Sequence, residues 1–338
     1  MMLVLGIESS CDECSVAVVE DGKRILSNEI ATQIEFHKSY SGVVPEIASR
    51  KHTEWILDVY EKALSDAGVG KDDIGGIAVT TRPGLVGSLL VGLSFAKGLA
   101  FATGKPFVGV NHVLAHLYAP QLEFDIPYPF IGLLVSGGHS LICVVNGYDE
   151  ISVLGTTIDD ACGEAFDKVA KFYNLGYPGG VVIDRLARRG DPRAFSFPAP
   201  SLHKGDHRYD VSYSGLKTAV INQLEQFRNP GYESSIENIA ASFQKTAIDI
   251  LVSRLLLAVE DTGIRSVVAG GGVAANSYLR DSLAERTDID VKFPSLRLCT
   301  DNGAMIAGLG YHYLKDGKTD TFSLNASARV PVFRRIYP

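Results

Sequence analysis

Cysteine is scarce in this chain. Five in 338 residues are too few and too scattered for a disulfide framework. Cys11 and Cys14 form a C-x-x-C pair, but no second pair stands at zinc-ribbon spacing, so two buried thiols are expected there. The first residues, Met1 to Gly6, lack a basic stretch and a long apolar segment, and no signal peptide is expected. No apolar run reads as long enough for a membrane span, so a cytoplasmic enzyme is the expectation. Positive charge is also short. A net charge of −7 argues against a protein dominated by non-specific nucleic-acid binding. What is present, 46% hydrophobic and 21% charged residues with 34 glycines, supports a large core, and the length suggests two domains.

Another absence concerns chemistry. His112-Val113-Leu114-Ala115-His116 lies in a run, Asn111 to Pro120, that reads as a short helix. Residues four apart share one helix face, so the two imidazoles offer half of a metal site. A zinc peptidase of the H-E-x-x-H type needs a Glu after the first His as general base. That position is Val113, so the peptidase reading fails. Two histidines satisfied within a helix remain the alternative until a third ligand is found. One candidate is Asp301, in the polar loop Cys299-Thr300-Asp301-Asn302-Gly303 that opens a small-residue helix. Capping that helix is its other reading. Two His and one carboxylate with open positions suit iron(II), zinc or manganese.

Hydrophobic patterning repeats along the chain. Met2–Ile7, Ser15–Glu20 and Arg24–Ile30 read as three strands, with a polar turn at Ser9–Glu13 and a hairpin turn at Asp21-Gly22. Phe130–Val135, Ser140–Val145 and Glu150–Leu154 repeat the order, with the turns at Ser136-Gly137-Gly138-His139 and Asn146-Gly147. This reads as an internal duplication of a fold unit. Glu54–Ala67, Gly87–Ala102, Ile239–Asp261 and Asn276–Glu285 read as helices, and Ile74–Thr80 and Ser266–Ala269 as buried strands. The expectation is an α/β chain of two like-folded domains, 1–125 and 126–338, with a ligand cleft between them and a C-terminal helix able to pack back on the first. The actin-like, sugar-kinase-like (ASKHA) architecture has this form.

Three small-residue loops suit an anion: Glu8–Glu13, Ser136–His139 and Gly270-Gly271-Gly272. None matches a P-loop, and the third lacks G-x-G-x-x-G spacing. Together, across a duplicated fold, they suggest a nucleotide site, with Asn276 just inside the following helix placed to meet an adenine or ribose edge. Positive charge is densest between Arg185 and Arg208, where Arg185, Arg188, Arg189, Arg193, Lys204 and Arg208 stand against Asp191 and Asp206. His203 and His207 lie in the same stretch, and Arg334-Arg335 near the end. On composition alone an ordinary solvated surface is the favoured reading of this stretch.

These motifs coincide with one family. Gly6-Ile7-Glu8-Ser9-Ser10-Cys11-Asp12-Glu13, Val43-Val44-Pro45-Glu46-Ile47-Ala48-Ser49-Arg50, Pro83-Gly84-Leu85-Val86-Gly87-Ser88-Leu89 and the two-His helix carry the resemblance in the first part. It continues through Leu134-Val135-Ser136-Gly137-Gly138-His139, Asp159-Asp160-Ala161, Gly163-Glu164-Ala165-Phe166-Asp167-Lys168, Tyr177-Pro178-Gly179-Gly180 and Ser214-Gly215-Leu216-Lys217-Thr218-Ala219. It ends with Gly270-Gly271-Gly272-Val273, Ala275-Asn276 and Cys299-Thr300-Asp301-Asn302-Gly303. The chain resembles, over nearly its whole length, the bacterial tRNA threonylcarbamoyltransferase family (TsaD, formerly described as a glycoprotease).

The resemblance implies a duplicated actin-like fold and transfer of a threonylcarbamoyl group from threonylcarbamoyl-AMP to the N6 amine of the adenosine next to the anticodon. It implies that His112, His116 and Asp301 hold one divalent metal ion, iron(II) or zinc. It implies that Leu134, Val135, Ser136, Gly137, Gly138, Asp167, Gly180, Asp184 and Asn276 contact the nucleotide substrate. The implied partners are tRNA, a paralogous TsaB-type pseudo-enzyme subunit and a small TsaE-type ATPase, with no membrane. No general base is assigned. Cys14 stands where Thr is expected, Arg82 where Gly is usual before Pro83, and Tyr213 where Phe is usual. A sugar-kinase-like or acetate-kinase-like phosphotransferase is the competing reading, and a regulatory ATP-binding subunit a third. Neither gives the two-His helix a role.

Overall fold

The structure is a computed structural model that describes residues 1–40, 42–200, 202 and 207–330. Two compact units emerge. One holds Met1–Ile126 with the described residues from Pro294 onward, the other Pro127–Phe293.

The N-terminal segment of the first unit runs β1 (Leu3–Glu8), β2 (Glu13–Glu20), β3 (Arg24–Thr32), α1 (Ile34–His37), α2 (Pro45–Ala67), β4 (Gly76–Arg82), α3 (Val86–Thr103), β5 (Phe107–Asn111) and α4 (His112–Tyr118). The second unit runs β6 (Phe130–Val135), β7 (Ser140–Gly147), β8 (Glu150–Thr156), α5 (Cys162–Phe172), α6 (Gly179–Ala187), α7 (Ser214–Asn222), α8 (Ile236–Thr262), β9 (Ser266–Gly270), α9 (Ser277–Ala284) and β10 (Asp290–Lys292). The chain then returns to the first unit with α10 (Leu296–Cys299) and α11 (Gly303–Lys315).

The sheet orders are β3-β2-β1-β4-β5 and β10-β9-β6-β7-β8. Read from opposite ends they are the same sheet. In each, the first three strands form an antiparallel meander, the fourth pairs parallel to the first, and the fifth pairs parallel to the fourth. The duplication read from the sequence is therefore present strand for strand. Asp21 and Gly22 adopt φ of 49° and 75°, a positive pair that closes a tight turn through the Lys23 amide on the Glu20 carbonyl at 3.1 Å, within a three-residue connection from Glu20 to Arg24. In the second copy the expected turn at Asn146-Gly147 is displaced. β7 continues through Gly147 past a register shift, and the turn falls on Tyr148-Asp149. Asn276 is not inside a helix either; it caps α9 from outside.

β1 is buried along its whole length, which requires cover on both faces. Leu3, Leu5 and Ile7 point toward one face and join Ile56, Val59, Tyr60 and Ala63 of α2 with Leu93 and Ala96 of α3. α3 is long and apolar enough to span a bilayer by length and composition, contrary to the sequence expectation. Here it packs on α2 and β4 through Leu89, Gly92, Leu93 and Ala96. The alternate positions of β1, including Gly6, face α11, which lies across β1, β2, β4 and β5. That packing is why the residues after Pro294 belong to the first unit and not to a domain 126–338. All five cysteines are free, with Cys14 buried and Cys11 half-buried.

Gly6 decides how near α11 can come. A Cβ there would stand 2.1 Å from the Gly303 carbonyl oxygen and 2.5 Å from the Ala307 amide nitrogen. These are backbone atoms that cannot swing aside. Gly6→Ala is expected to destabilise the protein by about 3 kcal/mol, at the upper end of overpacking costs. Denaturant unfolding of the variant against the parent measures this; a change under about 1 kcal/mol contradicts the packing account.

Candidate metal centre and anion-binding loops

α4 starts where β5 ends because Asn111 caps it. The Asn111 side-chain oxygen accepts the Val113 and Leu114 amides at 2.9 and 3.5 Å. The cap fixes the helix register and puts His112 and His116 one turn apart on its buried side. Their rings meet edge to face with centroids 4.5 Å apart. Asp301 arrives from the turn before α11. It does not cap that helix: Asn302 does, accepting the Met305 amide at 3.0 Å. The Asp301 carboxylate instead turns to the histidines. Its Oδ1 is 3.0 Å from His116 Nε2 and 3.5 Å from His112 Nε2. One ligand atom from each of the three lies within 4.8 Å of the others. Two imidazole nitrogens and a carboxylate oxygen at this separation form a donor set that can hold a divalent ion.

Glu8 stands behind His112. It ends β1 on the Gly6 face and is fully buried. Its Oε1 accepts the Ser10 amide at 2.6 Å, and its Oε2 accepts the Thr80 hydroxyl at 2.6 Å. Oε2 is also 3.0 Å from His112 Nδ1. The sequence reading had Glu8 only as part of a polar loop. The available signal was a carboxylate at the end of an otherwise apolar strand.

Burial works against protonation of both imidazoles. At His112 the Asp301 and Glu8 carboxylates overcome it and the pKa is pushed up to about 9, from an ordinary 6.5. At His116 burial prevails, reinforced by positive His112, and the pKa falls. Burial also opposes ionised Glu8, but the His112 charge and hydrogen bond outweigh it and the pKa is lowered. A pKa raised this far favours a proton on His112 Nε2, the nitrogen 3.5 Å from the Asp301 carboxylate, at neutral pH.

The residues expected to meet nucleotide lie in the second unit, around the C-terminal ends of β6 and β9. Leu134 and Val135 close β6 and are buried. Ser136–Gly138 form a tight turn, held by the Ser136 amide on the His139 carbonyl at 2.8 Å and the His139 amide on Ser136 Oγ at 3.1 Å. The turn touches the start of α5, where Gly163 donates to the Ser136 carbonyl at 3.2 Å. A Cβ on Gly271 would stand 2.3 Å from the Val135 carbonyl oxygen, so the loop after β9 abuts the same turn. Asp167 on α5 accepts the Gly179 amide at 2.7 Å, which places the N-terminus of α6 and Gly180 beside it. Gly137, Gly138 and Gly180 face open space, as backbone that approaches an anion must.

Two expected contacts have local work. Asp184 accepts the Ser277 hydroxyl at 2.6 Å and amide at 3.1 Å, tying α6 to α9. Asn276 accepts the Leu279 amide at 3.0 Å and donates to Gln244 at 2.9 Å. A separate cavity of about 540 Å³ is lined by Phe195, Phe197, Lys245 and Arg254 and by none of the loop residues above.

The basic stretch is thinner than its sequence suggests. Arg188, Arg193 and Arg208 pair with Asp184, Asp191 and Asp261. Exposed Arg185 and Arg189 form no ion pair among the described residues. Lys204, His203 and Asp206 lie outside the described residues, as do Arg334 and Arg335.

A family model described as tRNA N6-adenosine threonylcarbamoyltransferase (TsaD) matches residues 24–308. The chain belongs to that family. The chain is 66% identical over 334 residues to the tRNA N6-adenosine threonylcarbamoyltransferase of Treponema denticola, covering 99% of each. It is 55% identical to that of Treponema pallidum subsp. pallidum, covering 99% of this chain and 95% of the relative. The chain is thus a transferase of tRNA modification, and the phosphotransferase alternative falls away. The ROK hexokinase of Thermus thermophilus aligns with a TM-score of 0.51 at 19% identity, over 93% of this chain and 100% of that one. At that identity the likeness is of fold alone, and the fold is the actin-like, sugar-kinase-like one expected.

The electrostatics of the His112–His116 pair carry a pH signature. A metal ion taking His112 Nε2 must displace its proton. With that pKa at about 9, binding at pH 7 should release close to one proton, and affinity should climb about tenfold per pH unit before levelling near pH 9. Stability of the metal-free protein moves oppositely. The folded pKa is raised, so this contribution is complete below pH 6.5 and is lost as pH passes 9. Calorimetry in buffers of different ionisation enthalpy counts the protons; zero released at pH 7 contradicts the assignment.

Proposed function

We propose that this chain transfers the threonylcarbamoyl group of threonylcarbamoyl-AMP to the N6 amine of the adenosine 3′ of the anticodon, in tRNAs reading A-starting codons. One observation carries the reading beyond the family name: two buried histidines and Asp301 converge, within the first unit, on a single donor set. His112, His116 and Asp301 would hold one divalent ion, iron(II) or zinc. Such an ion supplies Lewis-acid charge for carbonyl or phosphoryl oxygens.

The adenosine amine is a poor nucleophile because its lone pair is delocalised into the ring. The acyl donor must therefore arrive activated, and the adenylate is a good leaving group. In this reading the adenylate lies on the second unit along Leu134–Gly138, with Gly137 and Gly138 amides donating to its anionic oxygens. Asp167 and Gly180 bound the site. Asp184 and Asn276 support it mainly by fixing α6 and α9, given the bonds they already make. Partners of the TsaB and TsaE types, and a cytoplasmic location, belong to the same proposal. An acidic chain with one modest basic patch needs such partners to complete a tRNA surface.

The core of the proposal is tested with the double variant His112→Ala, His116→Ala. The folded variant is expected to bind no stoichiometric metal and to lose at least about 100-fold in transfer of labelled threonine to tRNA, the scale of losing an electrostatic catalyst. Full metal content or full transfer would refute it. For tRNA, Arg185 and Arg189 are the residues to reverse, because their neighbours are already neutralised. Changing both to Glu should weaken tRNA binding and flatten its dependence on log salt by about two units of slope, one per lost phosphate contact. An unchanged slope places the tRNA elsewhere.

A further inference from the structure

At Nδ1 of His112 the candidate metal centre meets a buried carboxylate outside the donor set. An imidazole binds a cation through one nitrogen only if the other carries the proton, and a ring free to turn presents its lone pair poorly. Here the second nitrogen faces the Glu8 carboxylate at 3.0 Å. The carboxylate cannot drift. Ser10 N–H holds one oxygen and the Thr80 hydroxyl the other, each at 2.6 Å. Ser10 Oγ adds a contact to the same Nδ1 at 3.2 Å. His116 has nothing comparable: its Nδ1 is buried with no hydrogen-bond partner among the described residues.

We propose that Glu8, locked by Thr80 and the Ser10 backbone, is the positioning residue of the metal centre: it fixes the Nδ1–H tautomer and the ring plane of His112, so that Nε2 is presented beside Asp301 and His116. The chain of action runs Thr80 to Glu8 to His112, from the end of β4 through the end of β1 to α4. Its logic is geometric. β1 lays Glu8 on the face that α11 covers, and α11 is preceded by the loop carrying Asp301. One strand end therefore braces one ligand while the helix packed on that strand delivers another. Glu8 touches neither substrate nor cation in this arrangement. Outer carboxylates of this kind raise the basicity of the ligating nitrogen, and losing one costs about 10–100-fold in metal affinity.

This inference rests on His112, His116 and Asp301 being the metal ligands, and the test separates the two. Metal-free protein is titrated with cobalt(II), followed by its visible absorption. Four variants are compared with the parent: His112→Ala with His116→Ala, Glu8→Gln, Thr80→Val, and Glu8→Gln with Thr80→Val. Gln keeps the shape of Glu and one acceptor but loses the charge. Glu8→Gln should weaken cobalt binding about 10–100-fold, and Thr80→Val several-fold. Because Thr80 acts through Glu8, the Glu8→Gln, Thr80→Val pair should bind no worse than Glu8→Gln alone, a non-additivity that general loosening of the fold would not give. Parental affinity and spectrum in Glu8→Gln overturn the proposal, and so does full additivity. If Glu8→Gln does not fold, Thr80→Val decides, and parental affinity there overturns it. Parental affinity in the double-histidine variant refutes the ligand set itself, and the role of Glu8 with it.

Discussion

Everything in the first unit turns on how closely α11 lies against β1. With no side chain at Gly6, the carbonyl of Gly303 and the amide of Ala307 fill the place a Cβ would take. Gly303 is equally tight in return: a Cβ there would stand 2.7 Å from the Ala17 amide nitrogen. Ser15 Oγ on β2 accepts the Gly303 amide at 2.8 Å, so the contact is pinned as well as close. Asp301 stands two residues before this anchor. A helix 1 Å farther out would take the carboxylate out of hydrogen-bonding range of His116, now at 3.0 Å. Packing density, rather than any attraction between the charged groups, sets the spacing of the donor set.

That same contact explains what could and could not be read in the sequence. The meander and its repeat were legible because strand periodicity and turn residues are local. Phe130–Val135 was placed to the residue, and Asp21-Gly22 adopts the turn its identity demands. The return of residues 294–330 to the first unit is non-local, so the sequence allows a C-terminal helix packing back on the first domain but does not fix where the chain crosses over. β5 and β10 are not legible in the sequence; β9, as short as β5, is, because it runs straight into Gly270-Gly271-Gly272. At Asn146-Gly147 a good turn dipeptide lost to strand pairing, which carries on to Gly147.

The candidate site divides the same way. The His pair was visible from spacing, and Asp301 from residue type and family resemblance, but the cap competed for it. Asx residues stand next to one another at 301 and 302, and only one can cap α11. Asn302 takes the cap because its carbonyl oxygen reaches the Met305 amide while its own amide donates to the Thr300 carbonyl at 2.8 Å. An Asp in that place would leave the Thr300 carbonyl without its donor. The neutral amide is thus spent on backbone, and the charge is left for the histidines. Asn276 shows the opposite outcome: a residue with adenine-recognising chemistry is largely used up by capping α9 and bonding to Gln244. Composition of a loop identifies chemistry that is available; only the backbone decides how much of it is already committed.

The duplication sharpens the contrast between the units. Both sheets have the same order and both place a polar turn after their first strand, yet the two turns face different tasks. After β1 the turn follows Glu8, and the polar groups there converge on a buried imidazole. After β6 the corresponding strand ends in Leu134 and Val135, and the turn that follows is Ser136-Gly137-Gly138, whose two glycines face open space. A buried carboxylate needs donors within the protein, so its loop closes inward around Ser10 and Thr80. A pair of glycines leaves amides facing outward, which an anionic ligand can satisfy. The same strand-turn-strand frame thus produces a rigid inner bracket in one copy and an open row of donors in the other. The fold itself, common to hexokinase and to this chain, accounts for neither; the difference lies in whether the strand ends in a carboxylate or in an apolar pair.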